Sequence, residues 1–528
     1  MFCIFLNIKV NAQCTSIMVG KLASTDGSVM TAHACDGKYR TWMKWEASHT
    51  YDLNGKDSTA VEKIYKGNLH TVDEYDSHNL RLVGKIPQVS KVYSYLNCAY
   101  PCLNEKQLAI GETTISGFDT LKNNKGMFLI EELEKIALER CDNARDAIRL
   151  IGSLVKQYGY GDWGECITIA DKKEVWQLEI FGEGPDKIGA VWAAQRIPDD
   201  HIGVSANISR ISTLSKKILK NSDYFMASDN VFKVAKKLKL WDGKSVFKFW
   251  KAYGNVSSYT KVLKPFSTRE YFILNHFAPS LHLTMDMEEL PFSVKPDKKV
   301  SVEEMMAMYR EVYENTDLDM TKNLKMPKEI KDKKGKLIRV DTVLIPIANP
   351  WMNSFDRKSL NAIKPGVIEY QRTIAVAWCS YTFIAQLRDW LPDEIGGRIF
   401  LSFDNAAQSP RIPIYCGMNQ LPQEFSVCGQ YALKEDAIIW NYRKANKLAT
   451  VAWQETKKLH TSYMMHFQDK MMEDCPIVET KVKNLLDKGD KKSATQVLNL
   501  YTRDFVGSTS YAWHELEKIY WNKFGLGF

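Results

Sequence analysis

The first patterned stretch consists of two apolar-rich runs, CTSIMVGKLA from Cys14 and SVMTAHAC, flanking the turn STDG. Asp26-Gly27 supplies the positive φ that a tight hairpin needs, so the runs predict a pair of strands. QLAIGETTI, residues 107–115, predicts a further strand. The spacing of apolar residues then becomes helical in GMFLIEELEKIALERC and NARDAIRLIGSLVKQYG, with a break around Asp142 and Asn143. CITIAD and EVWQLEI predict another hairpin across Lys172-Lys173. Strands, two helices and strands again imply helices packed on a sheet. Residues 212–345 are richer in lysine and aromatics and read as loops with one helix, SVEEMMAMYREVYENT, at 301–316. TIAVAWCSYTFIAQL and RIFLSFDNA, separated by LPDEIGG, return to strands. From about residue 429 the pattern is helical, with EDAIIWNYRKANKLATVAWQETKKLHTSYMMHFQDKMM as one long helix or a pair. No internal repeat or low-complexity tract interrupts this order.

A length of 528 residues exceeds one typical core, so a large α/β domain with an added layer, or two closely packed domains, is expected. Apolar residues at 45% and charged residues at 25% are ordinary for a globular protein and exclude a disordered chain. The net charge of +8 is spread along the chain. Its densest lysine run, TKNLKMPKEIKDKKGKLIRVD at 321–341, also holds acids, Pro and Gly, which suits a solvated connecting loop rather than a nucleic-acid patch. No stretch of about 18 uncharged apolar residues follows the first few positions, so no membrane-spanning helix is expected. MFCIFLNIKVNA has a short apolar run with small residues at Val10 and Ala12, like the tail of a secretory signal. Export to a periplasmic or extracellular space is therefore expected, with a cytoplasmic location as the alternative. Eleven cysteines show no small-domain disulfide pattern, although Cys98 and Cys102 are close enough in sequence for a bridge.

Several familiar motifs fail on context. YGYGDWG carries Gly159, Gly161 and Gly164 at dinucleotide-site spacing, but a helix precedes it and a strand follows, the reverse of what that motif needs. It reads as a helix-ending turn. H-E-x-x-H, paired C-x-x-C, P-loop and G-x-S-x-G signatures are all absent, and the ten histidines are scattered, so no metal site or cofactor is expected. Cys14 stands apart because of what precedes it. A thiol is a strong nucleophile only as thiolate and needs a base beside it. If the chain is cut between Gln13 and Cys14, the new α-amine, with a pKa of about 7.7–8.0 against about 8.5 for the thiol, can take that proton. Residues 1–13 would then be a cap that blocks the base by holding it in an amide.

CTSIMVGKLASTDGSVMTAHACDG resembles the start of the mature chain in the dipeptidase A family of N-terminal-nucleophile cysteine peptidases. The resemblance continues in NEKQLAIGETT (104–114), WAAQRIPDDHIGVSANISRI (192–211), LPFSVKPDKKVS (290–301), YREVYENTDLDMT (309–321) and IGGRIFLSFDNAAQSPRIPIY (395–415). It implies an α+β fold, a four-layer αββα sandwich over residues 14–428 with an added helical region at 429–528, and metal-free hydrolysis of dipeptides. It also implies site residues. Cys14 matches the nucleophile, its freed amine the base, and Asp36 the aspartate that related amidases hold against that amine and thiol. Asn207, in VSANIS, resembles an asparagine that binds substrate or the oxyanion. Arg269, in FSTRE, lies near where the amidases have a site arginine. His33 stands where they carry a different one, and Glu112 and Thr113 close a strand that supplies an oxyanion contact.

The expected partners are dipeptides, with self-association possible on the helical region. Two rivals remain. One is an amidase of the same fold acting on acyl-amides such as penicillin V or bile salts; the other is an unprocessed, non-catalytic binding protein.

Overall fold

The computed structural model describes residues 13–67, 70, 80–220, 222–256 and 264–525. The signal-like residues 1–12 lie outside the described residues; Gln13, the last residue of the expected cap, lies within them.

Strand β1, Thr15–Val19, and strand β2, Val29–Asp36, pair antiparallel from Thr15 opposite Ala34 to Val19 opposite Met30. Their turn closes as expected. Gly27 takes φ 85°, and Asp26 Oδ1 accepts from the Ser28 N–H at 3.0 Å. Both strands are buried on both faces, which is why their polar residues, Thr15, Ser16, Thr31 and His33, do not alternate cleanly with apolar ones. They lie inside a seven-stranded antiparallel sheet whose order is Ser293–Val294, Ile202–Ser205, β1, β2, Cys379–Leu387, Gly397–Phe403 and Ile412–Tyr415.

An eight-stranded sheet has the Gly164–Ala170 strand near its centre, paired to Val175–Gly182 across the Lys172-Lys173 turn and to Ala109–Thr114 on the other side. The two sheets face each other. Thr31 and Thr168 share a hydroxyl hydrogen bond of 2.7 Å across the gap. Gly111 permits the approach, since a Cβ there would lie 2.8 Å from Thr168 Oγ1 and 3.2 Å from His33 Cβ.

Helices α1, Ile130–Arg140, and α2, Ala144–Tyr158, form where helical spacing predicts them. The Asn143 side chain caps α2, and Gly159 at φ 80° ends it. Helix α2 packs on the eight-stranded sheet, while Thr268–Phe277, Val302–Met308 and the C-terminal helices pack on the seven-stranded one. The C-terminal region comprises Ile438–Ala449, Trp453–Asp487 and Lys491–Phe524. Glu479 ties it to the sheet by ion pairs to Arg388 at 2.8 Å and Arg398 at 2.7 Å. Among the described residues no helix is long and apolar enough to cross a membrane.

Four local expectations change. Residues 212–345, expected as loops with one helix, also hold the helices Val231–Lys237, Phe249–Tyr253 and Thr268–Phe277. The helix expected over 301–316 stops at Met308, and Tyr313 and Asn315 adopt positive φ as the chain turns to bury the Tyr313 ring. The lysine-rich loop is an antiparallel hairpin, Lys325–Lys331 with Leu337–Leu344, turning through Gly335 at φ 81°. Its strands are largely exposed, so no buried face imposes an apolar alternation. Cys98 and Cys102 are free thiols, and Cys98 bonds the Tyr100 carbonyl at 2.9 Å.

Glu134 on α1 is wholly buried, both its carboxylate oxygens lack a partner among the described residues, and burial pushes its pKa well up. The folded state therefore keeps this proton to higher pH than the unfolded chain, so stability falls as pH rises above the ordinary value of 4.5. The fall continues at up to about 1.4 kcal/mol per pH unit until the folded-state group ionises. Glu134→Gln should gain on the wild type in urea denaturation as pH rises from about 5 to about 7. A pH-independent difference would show that Glu134 does not titrate in this way.

Candidate active site

Cys14 sits immediately before β1 with no exposed surface. Antiparallel pairing carries its predecessor onto the end of β2, where the Gln13 N–H donates to the Asp36 carbonyl at 3.3 Å. Arg269 arrives from the helix Thr268–Phe277, whose start is set by a capping box between Ser267 and Glu270. Glu270 also accepts from the Ala206 N–H at 3.0 Å, binding this helix end to the loop that carries Asn207.

From there Arg269 Nη1 donates to the Cys14 carbonyl at 2.6 Å, the Gln13 carbonyl at 3.0 Å and Thr15 Oγ1 at 2.9 Å. Its Nη2 donates to the Ala206 carbonyl and to Asn207 Oδ1, each at 3.0 Å. Burial, and then the neighbouring Arg372, lower its pKa to about 10, which still leaves it charged at neutral pH. Asn207 adopts φ 69°, and its Nδ2 donates to the Thr114 carbonyl at 2.7 Å. The geometry therefore joins Cys14, Asn207 and Arg269 in one network.

Asp36 enters through a second arginine. Arg372 Nη2 pairs with Asp36 Oδ2 at 2.6 Å and also donates to the Gln13 carbonyl, while Nε donates to Gln13 Oε1 at 2.8 Å. The carbonyl of the Gln13–Cys14 bond thus receives hydrogen bonds from two guanidinium groups. Arg372 has no sequence signal. It lies in the irregular segment EYQRTIA, and its ion-pair partner is 336 residues away.

His33 and Glu112 complete the surroundings of the thiol. One ligand-capable atom from each of Cys14, His33 and Glu112 falls within 4.8 Å of the others. His33 Nδ1 is engaged by the Glu112 main chain, leaving Nε2 buried and without a partner among the described residues. Burial lowers the His33 pKa to about 3, so the ring is neutral. Burial raises the Glu112 pKa, opposed first by the neighbouring Glu165 and then by the Thr114 hydroxyl, which donates to Glu112 Oε1 at 3.0 Å. The Cys14 pKa is pushed well up, first by burial and then by the charges of Glu112 and Asp36. In the uncut chain the sulfur is therefore a thiol that needs a base. Sulfur, imidazole and carboxylate are also a donor set that a soft divalent cation accepts. Thr113 instead bonds Ser205 through its hydroxyl.

Cys14 is thus a buried thiol beside Glu112, preceded by a peptide carbonyl that two guanidinium groups hydrogen-bond. The chain belongs to Peptidase family C69, whose family model matches residues 13–466, and it is a peptide-bond hydrolase. It is similar to a probable dipeptidase of Latilactobacillus sakei, 22% identical over 87% of this chain and 88% of that protein. Dipeptidase A of Lactobacillus helveticus is also 22% identical, over 90% of each chain. A probable dipeptidase of Salmonella dublin is 25% identical over 77% of this chain and 81% of its own.

Proposed function

We propose that this protein is a cysteine dipeptidase whose nucleophile, Cys14, becomes active when the Gln13–Cys14 bond is cut. The observation that carries the reading is the Gln13 carbonyl held by Arg269 and Arg372 directly before a buried thiol. Two facing sheets with helices on their outer sides are compatible with an N-terminal-nucleophile αββα sandwich over 14–428, the helices of 429–528 adding to it. The dipeptidase names of the similar proteins support the substrate class.

Cutting can proceed within the chain. Cys14 sulfur attacks the Gln13 carbonyl carbon as its proton passes to Glu112, and the two guanidinium groups stabilise the oxyanion. The C–N bond then breaks, Glu112 returns the proton to the departing Cys14 nitrogen, and the leader remains as a thioester on sulfur. Water hydrolyses it. The freed α-amine next takes the thiol proton for each turnover, beside Asp36, whose buried Oδ1 has no partner among the described residues. On a dipeptide, sulfur attacks the peptide carbonyl and the remaining amide hydrogen of Asn207 supports the oxyanion. The leaving amino acid takes the proton, and water releases the acyl residue.

Glu112 suits the substrate's ammonium. In a dipeptide that nitrogen is two bonds from the reacting carbon, so its acid must lie beside the sulfur, as Glu112 does.

The test is hydrolysis of a dipeptide series by purified protein whose N-terminus has been read by mass spectrometry. Activity should accompany chains beginning at Cys14, survive a metal chelator and disappear on thiol alkylation. Activity lost to the chelator and unaffected by alkylation would replace the thiol mechanism with a metal-dependent one. Fully folded protein that keeps its leader and cleaves nothing would favour a binding role.

A further inference from the structure

We propose that Arg372 is the site for the α-carboxylate of the dipeptide, and that Gln13 occupies this site until the leader is removed. The inference rests on the thiol dipeptidase reading above. In the uncut chain Nε of Arg372 donates to Gln13 Oε1 at 2.8 Å and Nη2 donates to the Gln13 carbonyl oxygen. Two oxygens therefore lie along one edge of the guanidinium, the arrangement in which a carboxylate is bound bidentately. Both belong to a residue that departs on cutting.

The arginine does not depend on Gln13 for its orientation. Its Nη1 donates to the Thr373 carbonyl, its Nη2 keeps the ion pair with Asp36 at 2.6 Å, and its guanidinium carbon lies 5.6 Å from the centre of the Trp378 ring. The side chain is 12% exposed and Asp36 only 1%. Loss of Gln13 thus leaves Nε and one Nη2 hydrogen without acceptors on a guanidinium already fixed in place. A mostly buried cation edge in that condition favours an incoming anion.

Covalent geometry sets what that anion is. The Gln13 carbonyl carbon is joined to the Cys14 sulfur by four bonds, so a group taking its place lies within about 5 Å of the sulfur. In a dipeptide the scissile carbonyl and the terminal carboxylate carbon are separated by three bonds, roughly 3–4 Å. A substrate with its carbonyl at the thiol and its carboxylate on Arg372 therefore has one residue on the leaving side. Glu112 beside the sulfur faces the ammonium at the other end, leaving one residue on the acyl side. Arg372 would act as a ruler that limits cleavage to dipeptides. Arg269, with all five of its hydrogen bonds directed to Gln13, Cys14, Thr15, Ala206 and Asn207, keeps four of them after cutting and offers no comparable edge.

The experiment compares wild-type protein, cut to Cys14, on a dipeptide, its C-terminal amide and the same dipeptide extended by one residue at its C-terminus. Removing a charge-assisted pair should lower kcat/KM about ten- to hundredfold for the amide, with the tripeptide cut as poorly. Arg372→Lys keeps a cation for Asp36 and loses the two-donor edge. Normalised to the fraction beginning at Cys14, it should raise KM for the dipeptide about tenfold or more and shrink the preference over the amide to a few-fold. Wild-type protein that cleaves dipeptide and amide equally overturns the role of Arg372 and leaves the dipeptidase reading intact. Arg372→Lys that retains the full preference for the carboxylate does the same. Wild-type protein that cuts none of the three overturns both.

Discussion

A chain carrying Cys14→Ala should retain the full mass of its leader and lose dipeptide hydrolysis by roughly 10⁴-fold or more. Both effects come from one atom. In the proposed mechanism the sulfur is the attacking group in cutting and in turnover, and alanine has nothing to replace it, while the small apolar side chain suits a fully buried position. Thermal unfolding should therefore change little, which separates lost chemistry from lost fold. Cys14→Ser is the sharper comparison, since a hydroxyl retains the shape but ionises far less readily. It should be cut slowly and turn over poorly. Hydrolysis near the wild-type rate in either variant would remove Cys14 from the mechanism, whatever the state of the N-terminus.

Arg269→Met should have the second largest effect, and on stability as well as on cutting. The guanidinium serves five acceptors, the carbonyls of Gln13, Cys14 and Ala206, Thr15 Oγ1 and Asn207 Oδ1. Methionine approximates the length of the stem but donates to none, so buried acceptors lose their partner at about 1–3 kcal/mol for each left unsatisfied. A loss on the order of 3–5 kcal/mol is expected after local relaxation, measured by denaturant unfolding. The leader should stay attached, read by intact mass, because the Gln13 carbonyl keeps only Arg372 and the Asn207 amide keeps only its bond to the Thr114 carbonyl. Arg269→Lys should recover part of the stability through its charge and little of the cutting, because one ammonium cannot span acceptors on both the Gln13–Thr15 stretch and the Ala206–Asn207 loop. A stable, normally cut Arg269→Met chain would show that the network is not what prepares this bond.

The local elements were legible where neighbouring residues determine them. The Asp26-Gly27 turn, the helix pair broken at Asp142 and Asn143, and the Lys172-Lys173 hairpin follow from turn chemistry and spacing that act within a few residues. The pattern over 301–316 misled because burial of Tyr313, a contact from outside the segment, ends the helix at Met308. The hairpin at 325–344 escaped notice because an exposed ribbon imposes no apolar alternation.

The site divides along the same line. Cys14, Asp36, Asn207, Arg269, His33, Glu112 and Thr113 could be named from sequence because each falls in or near a stretch that resembles a known family. Residue type and resemblance could not say which of them meet. Thr113 bonds Ser205, while Glu112, one residue earlier, has a carboxylate oxygen within 4.8 Å of the Cys14 sulfur.

NAQCTSIMVGK already contains the proposed nucleophile, the residue bonded to its amine and the strand that follows both. It does not contain the charges that prepare the bond. Those arrive on Arg269 from a helix start and on Arg372 from an irregular segment, more than 250 and 350 residues further along the chain. A guanidinium finds a buried carbonyl through three-dimensional proximity, which no local pattern encodes, and only the fold, in which β2 carries Asp36 beside Gln13, brings Arg372 to that carbonyl.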